Sequence, residues 1–304
     1  MSRWLVTGAG GMLGRDLVNL LRSRNDTVIA LEHRSLDITN HDAVQVYVDA
    51  YAPDAVVNCA AWTNVDEAEL DEPRALQVNG DGPRHLAQAC ASTGVRFLHV
   101  STDYVFSGDA SSPYAEDAPT SPLNAYGRSK LLGEQAVRET MPDGVYILRS
   151  AWLYGAYGPN FVATMIDLER TRETVDVVDD QVGQPTWTMD LATRIVDVIQ
   201  RELPPATYHA TNSGETSWYG LAREVFRLLG ADPDRVRPTT SDRFPRPALR
   251  PRYSVLGSTR WAHVGMTPMR DWRLALEEAF PLILAAKAGP PASSASAHTA
   301  SLPR

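Results

Sequence analysis

The run Trp4-Leu5-Val6-Thr7-Gly8-Ala9-Gly10-Gly11-Met12-Leu13-Gly14 decides how the rest of the chain is read. Its first four residues predict a short strand, its glycines a tight turn. Leu13, Leu17, Leu20 and Leu21 then share one face of a following helix. Strand, glycine turn and helix in that order make a cradle for a pyrophosphate. Residues without a Cβ let the backbone come close, and the helix N-terminus offers unpaired N–H groups. The spacing Gly8-x-x-Gly11-x-x-Gly14 differs from the G-x-G-x-x-G of ordinary dehydrogenases. A turn that serves backbone geometry alone is the competing reading.

Outward from that cradle the chain keeps alternating strand and helix. A second strand, Thr27–Leu31, ends near Glu32, His33 and Arg34. An acid there suits the adenosine ribose of NAD and an arginine the extra phosphate of NADP, so both cofactors stay open. In the loop Leu36–Asn40, Asp37 could meet the adenine, or Thr39 or Asn40 could cap the next helix. Asp54–Ala61 is nearly continuous in apolar residues, as a strand of a parallel sheet covered on both faces should be. Ligands gather at the carboxyl ends of such strands, which makes Ala60, Ala61 and Thr63 candidates for lining the cofactor. The strand Val95–Val100 delivers Ser101-Thr102-Asp103-Tyr104 to the same edge, and a fifth strand spans Gly144–Arg149.

Tyr126 and Lys130 stand four apart in a segment that reads as helix, so phenol and ammonium share a face. A free tyrosine has a pKa of about 10, and a neighbouring cation should pull it toward neutrality. The pair then serves as proton donor to a carbonyl being reduced. Alone, the spacing is equally that of a tyrosine packed on a lysine stem. Joined to the glycine turn and a strand-end hydroxyl, Ser101 or Thr102, it becomes a constellation.

Composition agrees with an enzyme that handles small molecules. At 304 residues the chain is long enough for one large domain or two smaller ones. A net charge of −8 argues against nucleic acid as partner. No apolar run approaches the ~18 residues of a membrane span. Cys59 and Cys90 lack metal-ligand spacing and read as reduced thiols of a cytoplasmic protein.

Beyond residue 150 the alternation loosens. Val175–Val178 reads as a strand, and helices are expected at 189–201, 217–230 and 271–285. The piece Phe244–Arg252, rich in Pro and Arg, resists regular structure; its arginines could face a diphosphate or only solvent. The expected architecture is α/β, a Rossmann-type doubly wound parallel sheet with a smaller C-terminal α/β substrate domain. Residues 1–150 with about 174–200 would form the nucleotide-binding domain and 151–173 with 201–285 the substrate domain. Residues 286–304 would be a disordered tail.

Several stretches together resemble the extended short-chain dehydrogenase/reductases, and more narrowly the dTDP-4-dehydrorhamnose reductases, over residues 3 to about 284. They are Thr7-Gly8-x-x-Gly11-x-x-Gly14, Asn58-Cys59-Ala60-Ala61-Trp62-Thr63-x-Val65-Asp66, Ser101–Phe106, Tyr126-Gly127-x-x-Lys130, Arg149-x-x-Trp152-x-Tyr154-Gly155 and Asp180-Gln181-x-Gly183-x-Pro185-Thr186. The resemblance implies a catalytic triad of Thr102, Tyr126 and Lys130. It implies NADPH or NADH held by Gly8, Gly11, Met12, Leu13, Gly14, Asp37, Ile38, Ala60, Ala61 and Thr63, with Tyr126 and Lys130. A dTDP-sugar would meet Thr102, Asp103, Tyr104 and Trp152. The implied reaction is reduction of the C4 keto group of a dTDP-4-keto-6-deoxy-L-hexose by a monomer or homodimer. A sister reductase making dihydrostreptose for an aminoglycoside antibiotic would share this constellation. A sugar-nucleotide epimerase or dehydratase and a non-catalytic regulatory relative are the further alternatives. Some family members dimerise through a magnesium site of three glutamates, matched here by Asp16, Asp190 and Glu278. Two shorter carboxylates argue against that metal, and Trp62 replaces a frequent histidine.

Overall fold

Alternation along the first strand sets the layering. A computed structural model describes residues 2–288. Its first half runs β1 (Arg3–Thr7), α1 (Met12–Ser23), β2 (Thr27–Leu31), α2 (His41–Tyr51), β3 (Ala55–Asn58), α3 (Val65–Leu70), α4 (Glu72–Leu76), α5 (Gly82–Thr93), β4 (Arg96–Thr102), α6 (Ala125–Thr140) and β5 (Val145–Ser150). A π-helical segment, Gln77–Asp81, joins α4 to α5. The second half runs β6 (Leu153–Tyr154), α7 (Phe161–Thr171), β7 (Val175–Val178), β8 (Val182–Gly183), β9 (Thr186–Trp187), α8 (Thr188–Gln200), β10 (Thr207–His209), β11 (Thr216–Ser217), α9 (Trp218–Leu228), β12 (Val236–Thr239), α10 (Arg260–His263) and α11 (Trp272–Ala288).

Six strands form one sheet in the order β10-β5-β4-β3-β1-β2, with every pair parallel. Trp4 and Val6 point to one face, where with Val57, Leu98 and Leu148 they pack under α1 and α8. Leu5, Val56, Phe97 and Ile147 point to the other and pack under α2, α5 and α6. Both faces are thus covered, as the apolar runs of β3 and β5 required. The chain steps from β1 to β2 on one side and returns to β3 on the other. That reversal opens the crevice in which α/β sheets bind ligands.

A second core gathers Val162, Met165 and Ile166 of α7, Leu221, Val225 and Phe226 of α9, and Leu276 and Phe280 of α11. The placing of elements between the two lobes differs from the sequence reading. Within 174–200 only α8 joins the large sheet, by packing on α1, whereas β7 pairs in parallel with β12. The sixth strand is β10, from a stretch assigned to the other lobe; three residues carry too little periodicity to announce a strand. Helix α11 continues to Ala288, past the boundary set at 285, and residues 289–304 of the expected tail lie outside the described residues. Among the described residues, no helix is long and apolar enough to cross a membrane.

Candidate active site

The glycine turn is built for close approach. Gly8 has φ +66°, and a Cβ there would lie 2.5 Å from the Ala60 nitrogen at the end of β3. At Gly14 a Cβ would sit 2.2 Å from the Gly8 carbonyl oxygen, so helix and turn could not meet. Gly11 caps α1 without a side-chain hydrogen bond to its first N–H groups. These features fit a dinucleotide pyrophosphate. Asp37 lies beyond β2, where burial would raise its carboxyl. Bonds from the Thr39 N–H and hydroxyl, with the charges of His33 and Arg74, bring it below the usual range. Ile38 is buried, and Asn40, one of the two residues suggested as cap, accepts from the Ala43 N–H to cap α2. Glu32 and Arg34 form an exposed ion pair at 3.0 Å.

Thr102 ends β4, Tyr126 occupies the first turn of α6, and Lys130 follows one turn on. Asn124 caps that helix by accepting from the Gly127 N–H at 2.8 Å. At Gly127 a Cβ would meet the Tyr104 carbonyl oxygen at 2.2 Å, so the absent side chain lets α6 lie against the turn after β4. The Thr102 hydroxyl lies against the Tyr126 phenol. It donates to Asp103 Oδ1 at 2.9 Å and accepts from the Tyr104 N–H at 3.2 Å.

One expectation needs correction. Lys130 does not pull the Tyr126 pKa down in this arrangement. Burial of the phenol pushes it up to about 12; the Thr102 hydroxyl lowers it and the Asp103 charge raises it further. The residue as a whole is partly exposed, whereas its phenol group is buried. Tyr126 therefore holds its proton at neutral pH, the state required of a donor. Lys130 Nζ donates instead to the Val100 carbonyl at 2.7 Å, and burial brings its ammonium down to about 8.

Behind Lys130 runs a buried polar chain that the sequence reading did not single out. The Ala60 N–H and the Thr7 hydroxyl both donate to Asn58 Oδ1, at 3.1 and 2.7 Å. Asn58 Nδ2 must then donate to His99 Nδ1, 3.0 Å away, which leaves the neutral ring's proton on Nε2. That nitrogen lies 3.4 Å from Lys130 Nζ. Burial and the lysine charge hold His99 neutral, well below its usual pKa. The available signal was a histidine inside the otherwise apolar run Val95–Val100. On α6 itself Ser129 accepts from Asn79 Nδ2 at 2.9 Å, tying this helix to the π-helical segment.

Asp103 is 2% exposed, and its Oδ2 has no partner in hydrogen-bond geometry. The nearby Ser254 hydroxyl and the bond from Thr102 lower its pKa. Burial dominates and raises the carboxyl from 3.8 to about 6. A group raised on folding contributes stability that is present below 3.8 and lost as the pH climbs through about 6. Asp103→Asn is therefore expected to stabilise the protein above that range by about 3 kcal/mol, at ~1.4 kcal/mol per tenfold. The gain should shrink as pH falls toward 4. Denaturant unfolding of both proteins at neutral and acid pH measures it, and a gain independent of pH would contradict the assignment.

Tyr104 packs edge-on to Tyr126, ring centroids 5.6 Å apart. Trp152 stands at φ +47°, an uncommon conformation for a bulky residue, and stacks on Trp218 with centroids 3.6 Å apart. A Cβ on Gly183 would enter the Trp152 ring at 2.5 Å. The three carboxylates matched to a metal site are engaged by protein groups. Asp16 bonds the Thr188 hydroxyl, while Arg270 takes both Asp190 and Glu278. Among the described residues, no three His, Cys, Asp or Glu side chains gather in a metal-holding group.

Beside a dinucleotide cradle, the carboxyl edge of this sheet offers a protonated phenol, a hydroxyl and an ammonium. Those are the working parts of the short-chain dehydrogenase/reductases, nicotinamide-dependent oxidoreductases, and the chain is of that class. Comparison with known proteins narrows it. The chain belongs to the dTDP-4-dehydrorhamnose reductase family: the family model described as "RmlD substrate binding domain" matches residues 2–283. It is 58% identical over 293 residues to a dTDP-4-dehydrorhamnose reductase of Streptomyces griseus, covering 95% of this chain and 96% of the relative. It is 57% identical over 281 residues to a dTDP-4-keto-6-deoxy-D-glucose reductase of Streptomyces niveus, covering 92% and 97%. Among solved structures, the Bacillus anthracis dTDP-4-dehydrorhamnose reductase in complex with NADP superposes with a TM-score of 0.89. It is 38% identical over 92% of this chain and 99% of its own.

Proposed function

We propose that this protein reduces the C4 keto group of a dTDP-4-keto-6-deoxy-L-hexose, giving dTDP-L-rhamnose, with NADPH or NADH as reductant. The observation that supports the reading is a cavity of about 410 Å³ lined by Tyr104, whose ring packs edge-on to Tyr126 with centroids 5.6 Å apart. Phe161, Trp218, Arg246 and Arg250 line the same cavity. An apolar, aromatic stretch suits a thymine ring, and two guanidiniums suit a diphosphate. The substrate's sugar then reaches Tyr104, and through it Tyr126.

The cradle of Gly8, Gly11 and Gly14 with the N-terminus of α1 would hold the cofactor pyrophosphate. Asp37 and Ile38 would hold its adenosine end, and Met12, Leu13, Ala60, Ala61, Thr63, Tyr126 and Lys130 would line the remainder. Glu32 can accept from ribose hydroxyls, and Arg34 can meet a 2′-phosphate, so the site serves either dinucleotide. When bound, the reduced nicotinamide supplies hydride to the carbonyl carbon. Tyr126 gives its proton to the carbonyl oxygen as negative charge grows there. Thr102, turning its hydroxyl from Asp103, hydrogen-bonds the same oxygen. Lys130 supplies positive charge behind the phenol. In this reading the large-sheet lobe takes the dinucleotide and the smaller lobe the sugar nucleotide. The test is to incubate the protein with dTDP-4-keto-L-rhamnose and NADPH or NADH. Loss of nicotinamide absorbance and formation of dTDP-L-rhamnose, identified by NMR, are expected. No consumption of either cofactor with authentic substrate would overturn the proposal.

A further inference from the structure

The segment 244–252 crosses from the smaller lobe to the large-sheet lobe without regular structure, yet two side chains pin it. Asp66, in the first turn of α3, takes the Arg250 guanidinium bidentately: Oδ1 to Nη1 at 2.5 Å and Oδ2 to Nη2 at 2.9 Å. The same carboxylate accepts from the Ala248 N–H at 3.2 Å, with Arg246 3.8 Å away. Asn124, the cap of the catalytic helix, donates to the Leu249 carbonyl at 2.7 Å. Arg250 also donates to the Ala248 carbonyl at 2.6 Å, which closes the segment on itself. Arg250, Arg246 and Phe244 line the cavity together with Tyr104.

We infer that Asp66 is a positioning residue, which clamps Arg250 and its segment against α3 so that the cavity presents a fixed guanidinium to the substrate's diphosphate. The inference rests on the substrate class proposed above. A planar fork held by two parallel bonds keeps one orientation, whereas an unclamped arginine loses much of its rotamer freedom only on binding. The carboxylate also repels a diphosphate, but across water at several ångströms that is worth a factor of about two or three. The charge-assisted bonds that fix the fork are stronger, so positioning decides the sign. The position of Asn124 extends the consequence: the clamped segment and the first turn of the catalytic helix share a hydrogen-bonding side chain.

The test compares wild type with Asp66→Asn and Asp66→Glu, using dTDP binding by calorimetry alongside steady-state kinetics. For Asp66→Asn the dTDP Kd and the sugar-nucleotide KM are expected to rise about tenfold or more, with kcat changed less than threefold and the NADPH Kd unchanged. Asp66→Glu should recover part of the loss, since it restores a carboxylate. A role confined to holding the fold would lower kcat, cofactor affinity and melting temperature together, and that pattern overturns the inference. So does unchanged or tighter dTDP binding by Asp66→Asn when wild type binds dTDP. Failure of wild type to bind dTDP at all would instead overturn the proposed substrate class, and this inference with it.

Discussion

Tyr126→Phe should lower kcat by about two to four orders of magnitude while the dissociation constant for NADPH stays nearly the same. The substitution removes one hydroxyl and nothing else. The ring keeps its edge-on packing against Tyr104 at 5.6 Å, and α6 keeps its Asn124 cap. Burial holds the phenol near 12, so in wild type the proton is present throughout the neutral range and is surrendered only to a stronger base. An alkoxide growing at the reacting carbon is such a base; a resting carbonyl is not. The interaction lost is thus one made in the transition state, which places the effect in kcat rather than KM. Thr102→Val is expected to act in the same direction with smaller effect, because it removes a hydrogen bond but leaves the proton source. Single-turnover kinetics with saturating NADPH and fluorescence titration of the cofactor separate the two quantities. Turnover of Tyr126→Phe within a few-fold of wild type would take the phenol out of the chemistry.

The parts of this molecule legible in its sequence are those set by local pattern. Gly8 and Gly14 sit where backbone crowding forbids a Cβ, and the apolar runs of β1, β3 and β5 are buried on both faces. A strand-end hydroxyl, at Ser101 or Thr102, and the one-turn spacing of Tyr126 and Lys130 followed from period, and the family resemblance chose Thr102. Electrostatics did not. Four residues of spacing placed ammonium and phenol on one face. The direction of the lysine's bond, to Val100 rather than toward Tyr126, depends on a carbonyl from β4. The Thr7–Asn58–His99 chain joins three strands adjacent in the sheet but far apart in sequence, and no periodicity links them. The same holds for Asp66 and Arg250, 184 residues apart, and for β10, whose place beside β5 is a matter of tertiary pairing. The carboxylates Asp190 and Glu278 did come together, but around Arg270, an arginine that the sequence reading gave no role.

The second large effect is expected at Glu134, one turn beyond Lys130 on the same helix. Glu134 is fully buried and Arg149, on β5, is 2% exposed. They meet through two parallel bonds, Nε to Oε1 at 2.8 Å and Nη2 to Oε2 at 2.7 Å, with Arg138 adding a third at 3.1 Å. Arg149 also lies over the Phe106 ring at 4.9 Å, so its guanidinium has no path to water. Burial alone would raise the Glu134 carboxyl; the Arg149 bonds and charge outweigh it and hold the group below its usual value of 4.5. Its contribution is therefore present above that pH and lost as acid protonates the pair. Glu134→Gln leaves a buried cation without a counter-charge, a change that costs about 3–5 kcal/mol. Replacing both partners, as Glu134→Leu with Arg149→Met, should recover most of that loss, because no charge is left stranded. The catalytic consequence is separate. Burial brings the Lys130 ammonium down to about 8 even though the Glu134 charge draws it up. In Glu134→Gln the ammonium should deprotonate at lower pH, moving the alkaline limb of kcat/KM downward, and the double variant should share that shift while regaining stability. Stability and pH profile recovering together would mean that Glu134 acts only through the fold; the profile staying displaced in a stable protein would assign it to the lysine.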